Sequence, residues 1–386
     1  MKLLTCSCLI ALALLPVVVK ADAKFRSTGL VITPDDKSYR LRLGGRLHFD
    51  SVRFNDDSTR FQDEDGFRRL RLYLSGRLGK DWRFMADRDF GGSSPGWKSV
   101  WVSYSGIKHL TLKAGQMTAP FGLEELTGSN DTLFLERALP SALAPGLLVG
   151  AQGSHAWTHG SGTLGYYGNA LDAEFGKSAA TGRSVVGRAT WAPLHSSRHT
   201  LHLGMAYETR DIDAGSAFRI SASPETGLTR ATLLNTSNLI NARRMTRRGA
   251  EAAWALGPMT LQAEYLRTDL RRDGFADSNF NGWYVQAAYV LTGEYRTYSV
   301  SRGRFGDIRP KHKAGAVEIA LRRSALDLES GFVTGGRGWN DSIGVNWYLG
   351  RNFRLMADYT RSRASPDRNG LDARLGIFQM RAQVDY

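Results

Sequence analysis

Apolar and polar residues alternate along almost the whole chain. Between Tyr39 and Asp50, Leu41, Leu43, Leu47 and Phe49 share one parity, while Arg40, Arg42, Arg46 and His48 share the other. Leu70, Leu72, Leu74 and Leu78 oppose Arg69, Arg71, Tyr73, Ser75 and Arg77 in the same way. Near the end, Phe353, Leu355, Ala357 and Tyr359 oppose Arg354, Met356, Asp358 and Thr360. A period of two with one apolar face is a strand that lies half in an apolar medium and half in water.

The polar face decides which medium that is. A soluble sandwich also alternates, but it rarely points so many arginines along one face of successive strands. A membrane barrel does so naturally, because its apolar face meets lipid and its polar face meets a water-filled lumen. Gly, Asp, Asn, Ser and Pro clusters divide the pattern into 16 or 17 segments. Such barrels prefer even numbers, and with Ala325–Gly331 read as a turn region the count is sixteen. About 22 residues then fall to each strand and its connection, room for tilted spans of about 10 residues. Trp82, Trp254, Trp283 and Trp347 fall where interfacial girdles are expected. In the last segment Phe378, Met380, Ala382, Val384 and Tyr386 alternate with Gln379, Arg381, Gln383 and Asp385. A terminal amphipathic strand ending in an aromatic residue is the form that outer-membrane assembly machinery reads.

Two stretches break the rhythm. Phe121–Gly150 contains Pro140 and Pro145 and sets Glu124, Glu125, Asp131 and Glu136 around Arg137. Asp211–Arg248 carries Arg219, Arg230, Arg243, Arg244, Arg247 and Arg248. Long connections in a regular barrel are usually functional, and one folded into the lumen would narrow it and set its selectivity.

Export is the next expectation. Lys2, the apolar run Leu9–Val19 and Ala21-Asp22-Ala23 have the layout of a secretory leader over residues 1–23, leaving a barrel domain over 24–386. Cys6 and Cys8 both lie in that leader, so no disulfide framework is available to the exported chain. No later segment is long and apolar enough for a transmembrane helix. The net charge is +14, and 40 of the 51 basic residues are Arg. Guanidinium groups hold planar oxyanions in a bidentate fork. An exported basic protein meets small anions rather than nucleic acid.

A series of short sequence blocks follows in order along the chain. They begin with Leu43-Gly44-Gly45-Arg46-Leu47, Phe67-Arg68-Arg69, Phe121-Gly122-Leu123-Glu124 and Leu135-Glu136-Arg137. Ala192-Pro193-Leu194-His195, Ala253-Trp254-Ala255-Leu256-Gly257 and Ala263-Glu264-Tyr265-Leu266-Arg267 follow. Leu291-Thr292-Gly293-Glu294 and Gly344-Val345-Asn346-Trp347-Tyr348 complete the set. No block is specific alone, but in this order across the chain they resemble the phosphate-selective porin O/P family.

The resemblance implies a 16-stranded antiparallel transmembrane β-barrel with its third extracellular loop folded inward, assembled as a homotrimer in the outer membrane. There it would meet outer-membrane lipid and lipopolysaccharide. It also implies a ladder of arginines leading phosphate or other small anions to a constriction. Matched motif by motif, Arg46, Arg68 and Arg69 fall on the ladder, Arg137 on the constriction, and Arg219 at the start of an inward-folded fifth loop. The chain departs from the phosphate-specific pattern at Glu125, where a lysine is expected after Gly-Leu-Glu. Ser221, Ala222 and Ser223 likewise thin the basic run after Arg219. Glu124, Glu125 and Glu136 are the constriction-loop carboxylates that could accept a proton from monohydrogen phosphate.

Arginines in series would let an anion exchange between comparable sites, bound well enough to enter and weakly enough to leave. A general, weakly anion-selective diffusion porin is the nearest alternative, and a non-conducting adhesin or hydrolase barrel a further one. Enzyme chemistry, cofactors and metals find no motif here: no Gly-x-Ser-x-Gly element or phosphate-cradling loop occurs. His155 with His159, and His195 with His199, have a helical ligand spacing but lie on strands. There, four residues span about 13 Å, too far to share an ion.

Overall fold

The computed structural model describes residues 21–55, 61–172 and 180–386. Sixteen antiparallel strands close into a barrel. The first four are β1 (Tyr39–Asn55), β2 (Glu64–Leu78), β3 (Trp82–Asp89) and β4 (Gly96–Ile107). Then come β5 (Leu110–Thr118), β6 (Leu147–Trp157), β7 (Gly160–Tyr167) and β8 (Gly182–His195). β9 (His199–Ile212), β10 (Ala242–Leu256), β11 (Met259–Arg272) and β12 (Ser278–Val290) continue the wall. β13 (Ala316–Ser330), β14 (Val333–Leu349), β15 (Phe353–Ala364) and β16 (Ala373–Asp385) complete it. β16 pairs with β1 from Gly376↔Asn55 to Asp385↔Arg46, so the sheet has no free edge between first and last strand.

Burial is inverted relative to a soluble protein. Leu72, Leu321, Ile343 and Met205 are 55, 59, 53 and 69 % exposed, while His48, Asp50, Arg247 and Arg381 are at most 2 % exposed. The exposed apolar parity is the lipid face and the buried polar parity is the lumen. Trp82, Trp254, Trp283 and Trp347 all lie on the exposed face. Apart from the connection 291–315 and the two-residue turn 331–332, short turns join strands at the end that bears the C-terminus and longer loops at the other, which orients the barrel with its long loops outward.

Three boundaries differ from the sequence reading. Ala325–Gly331 is not a turn region: Ala325–Ser330 completes β13, and β14 already begins at Val333. There the inward parity carries Leu326 and Leu328, both fully buried, because they pack under a loop instead of facing water. That polarity change made the segment look irregular. The second long connection is 213–241 rather than Asp211–Arg248, since Arg243, Arg244, Arg247 and Arg248 all lie on β10. The first is 119–146, because β6 starts at Leu147.

A third irregular segment occupies the opposite end. The connection 291–315 folds back into the lumen as a small hairpin, Arg296–Ser299 paired with Arg304–Ile308. Of the expected leader, residues 1–20 lie outside the described residues; Ala21–Arg26 forms a strand against Gly29–Pro34, which in turn pairs with β1 at Leu30↔Leu43.

Candidate functional site: a basic channel along one wall

The loop 119–146 crosses the lumen and leaves a channel of about 810 Å³ beside β1–β4. Its lining runs from Ser93 and Ser94 at the outer rim to Arg351 and Tyr386 at the inner one. Twelve lining residues are Arg or Lys and five are Asp or Glu.

The strand geometry of β1 and β2 builds the core of this wall. Arg46 sits directly opposite Arg71, and His48 opposite Arg69. Residues two apart on a strand stand about 6.7 Å from one another, so Arg69 and Arg71 form successive rungs. Strict alternation would send Arg68 to the lipid. The register instead slips between His48↔Arg69 and Phe49↔Phe67, a β-bulge that leaves Arg68 as the extra residue. Phe67 stays exposed on the lipid face, and Arg68 and Arg69 both line the channel.

The rungs differ in how their charge is met. Arg68 makes a two-pronged pair with Glu136 at 2.6 and 3.0 Å. Arg71 bonds Asp89 at 2.7 Å and lies 3.5 Å from Asp87. Arg46 donates to Ser129 Oγ at 2.8 Å and approaches Asp385 at 3.7 Å. Arg42 stacks on the Tyr73 ring at 4.9 Å. Arg69 has no hydrogen-bond or ion-pair partner among the described residues, although it is only 8 % exposed and its Nε is buried. A buried guanidinium without an acceptor leaves charge-assisted donors unused.

Most other lumenal arginines hold the loop. Arg354 donates to the carbonyls of Asn130 and Thr132 at 3.0 and 2.8 Å, and Arg381 to that of Leu135 at 2.8 Å. Arg381 also pairs with Asp50 through two 2.7 Å bonds. From the inner hairpin, Arg296 reaches the Asp131 carbonyl at 2.7 Å and Arg304 that of Leu126. Arg322 bridges Glu124 and Glu225.

Arg137 belongs with these fasteners. Its guanidinium closes the short helical turn Leu123–Leu126 by donating to the carbonyls of Glu124, Glu125 and Thr127 at 2.9, 3.1 and 3.0 Å. The turn's other end is held by Glu264 of β11, which accepts from the backbone N–H groups of Leu123 and Glu124. Gly122 opens it at φ 75°, a left-handed conformation suited to glycine. Glu125 lies 3.7 Å from Arg137 and lines the channel.

The loop carboxyls have distinct charge states. Burial opposes ionisation of Glu136, but Arg68 foremost, then Arg381 and Arg69, outweigh it and hold the carboxyl well below the usual range. Burial raises Glu124, which Arg322 and the Ala138 N–H only partly offset. On acidification Glu124 therefore takes up a proton before Glu136 does, and the Arg68–Glu136 pair is the more acid-resistant fastening.

Of the residues expected from sequence, Arg46, Arg68, Arg69, Arg137 and Glu125 converge on the channel, while Glu124 and Glu136 lie beneath it in the loop's attachments. Arg219 is exposed on the connection 213–241 and is not part of the lining. Sequence reasoning missed Arg71, Lys98, Arg296, Arg304 and Glu225. The first two follow the lumenal parity; the others sit in irregular segments whose path alternation does not reveal.

A closed sixteen-stranded barrel with apolar outside, basic lumen and an inward loop defines a porin of the outer membrane. The chain belongs to the family "Phosphate-selective porin O and P", which matches residues 41–386. It is 30 % identical over 376 residues to Porin O of Pseudomonas aeruginosa, covering 87 % of this chain and 85 % of that protein. Its fold is similar to that of an anion-selective porin from Comamonas acidovorans, with a TM-score of 0.55 and 14 % identity, covering 90 % of this chain and all of the other. OmpT of Vibrio cholerae, in a trimer form, gives 0.56 and 10 % identity with the same coverage. The outer membrane channel DcaP of Acinetobacter baumannii gives 0.56 and 10 %, covering 92 % of this chain and 99 % of that one.

Proposed function

We propose that the chain conducts small anions, phosphate-like ones among them, along the arginine wall of β1 and β2. The carrying observation is Arg69, desolvated and without an acceptor among the described residues, set between Arg68 and Arg71 in a lining with more than twice as many cations as carboxylates. Cations concentrated along a low-dielectric channel raise the local anion concentration. Rungs about 6.7 Å apart let an anion be handed on without being released to bulk. Arg46, Arg68 and Arg69 form this path; Arg137 shapes it by holding the loop, and Arg219 takes no direct part. We place the mature chain in the outer membrane as a homotrimer after removal of residues 1–23.

The reversal potential in a potassium chloride gradient tests this reading. It should favour chloride, and the preference should weaken above about 1 M salt, where the screening length falls to about 3 Å. Cation preference at low salt would contradict it.

Glu125 favours a second, weaker reading, a general porin with slight anion preference, because its carboxylate lies beside Arg137 in the channel. Glu125→Gln should therefore strengthen anion preference and tighten phosphate block of the chloride current. An unchanged phosphate response in this variant would remove Glu125 from the account.

A further inference from the structure

The outer wall of β13–β16 is stratified in a way that conduction does not need. In the middle of the wall, Leu321, Ile343, Tyr359 and Phe378 pair across the four strands. One step outward, Arg323, Asp341 and Arg361 form the next row. One step further, Trp339 pairs with Arg363, and Arg363 directly with Arg374. Like charges set directly opposite one another destabilise a sheet, and arginine on the lipid face of a barrel is unfavourable except near the interface.

Arg323 has Asp341 at 3.6 Å. Arg361, Arg363 and Arg374 have no hydrogen-bond or ion-pair partner among the described residues, and Arg363 Nε is buried without an acceptor. Directly beneath them runs an apolar groove of about 480 Å³ lined by Val285, Ala287, Leu321, Ile343 and Tyr359, with Arg323, Asp341 and Arg361 at its head. Among the described residues the cluster thus presents three unmatched cations at the outer interface and an apolar groove below.

We propose that this face is a binding site for a phosphorylated, multi-acyl glycolipid of the outer leaflet. Its phosphates would lie among Arg361, Arg363 and Arg374, and one acyl chain would lie in the groove. Guanidinium pairs with phosphate through parallel charge-assisted bonds, which removes the Arg363–Arg374 repulsion. The continuity of cations with an apolar groove selects a lipid over free phosphate: inorganic phosphate could satisfy the arginines but would leave the groove unfilled. The site is separate from the lumen, so it neither needs nor alters the proposed conduction path.

The test uses the refolded full chain in detergent, with lipid A and enzymatically dephosphorylated lipid A as probes and bound lipid read by native mass spectrometry. The wild-type protein should retain the phosphorylated form at least roughly tenfold more tightly, given the attraction of each surface arginine for anionic lipid. The triple variant Arg361→Gln, Arg363→Gln, Arg374→Gln should lose that preference while keeping the wild-type single-channel conductance, which reports an intact barrel. Wild-type discrimination between the two lipids needs no variant, so it decides the matter even if the triple variant does not fold. Equal retention of both lipids, or full retention by a conducting triple variant, would overturn the proposal. Displacement of the lipid by millimolar inorganic phosphate would also overturn it, by assigning the arginines to free phosphate.

Discussion

Arg46→Glu combined with Arg69→Glu should remove most of the proposed anion preference of the channel. Both side chains line the same channel from adjacent strands, and the pair of substitutions changes the charge of the lining by four. The cations nearest the pair offer little compensation. Arg71 is already matched by Asp89 and Asp87, and Arg68 by Glu136. Neither substitution removes a fastening of the loop, apart from the single Arg46–Ser129 bond. The pore dimensions should therefore stay close to those of the wild type while the reversal potential moves toward zero. The same reversal at Arg137 would act differently, by loosening the turn Leu123–Leu126, and would appear as altered conductance and noise more than as altered selectivity.

Glu225→Ala should produce the largest loss of structural order. Glu225 lies on the connection 213–241, is 4 % exposed, and binds three things at once: Arg322 and Ser324 of β13, and the Leu139 N–H of the constriction loop at 2.8 Å. Gln379 of β16 further donates to its carbonyl at 3.1 Å. Breaking a buried pair by removing one partner costs about 3–5 kcal/mol, because the remaining charge is left uncompensated. Here Arg322 would keep Glu124 as its one carboxylate, at 3.4 Å, with the Glu136 carbonyl at 3.1 Å. The expected result is a lower melting temperature of the loop assembly and a wider, noisier open channel. Arg322→Met with Glu225→Met should recover much of the stability, since neither buried charge then remains. A quiet wild-type trace from Glu225→Ala would show that the loop is held by its other contacts alone.

The barrel was legible because its physics is periodic. A lipid face and an aqueous face impose a period of two on every strand, and Leu70–Leu78 or Phe353–Thr360 display it residue by residue. The pattern failed where a lumenal position faces protein instead of water, as at Leu326 and Leu328, which pack under the long loop. The site was only half legible. Arg46 and Arg69 follow parity, but nothing in parity admits both Arg68 and Arg69 to the lumen; the bulge does that, and only a family resemblance pointed to it. Nor does a sequence distinguish a rung from a fastener. Arg69 and Arg381 are both buried lumenal arginines, yet among the described residues one lacks an acceptor and the other is saturated by Asp50, Glu136 and the Leu135 carbonyl. That distinction depends on which carboxylates the irregular segments bring near, including the hairpin within 291–315.

Single-channel current of the refolded protein in chloride, with phosphate titrated in, tests the central claim most directly, for wild type and for Arg69→Ala. Concentration-dependent block by phosphate in the wild type, weakened sharply in Arg69→Ala, is the predicted result. A chloride current indifferent to phosphate in both would contradict it, leaving a basic but unselective pore.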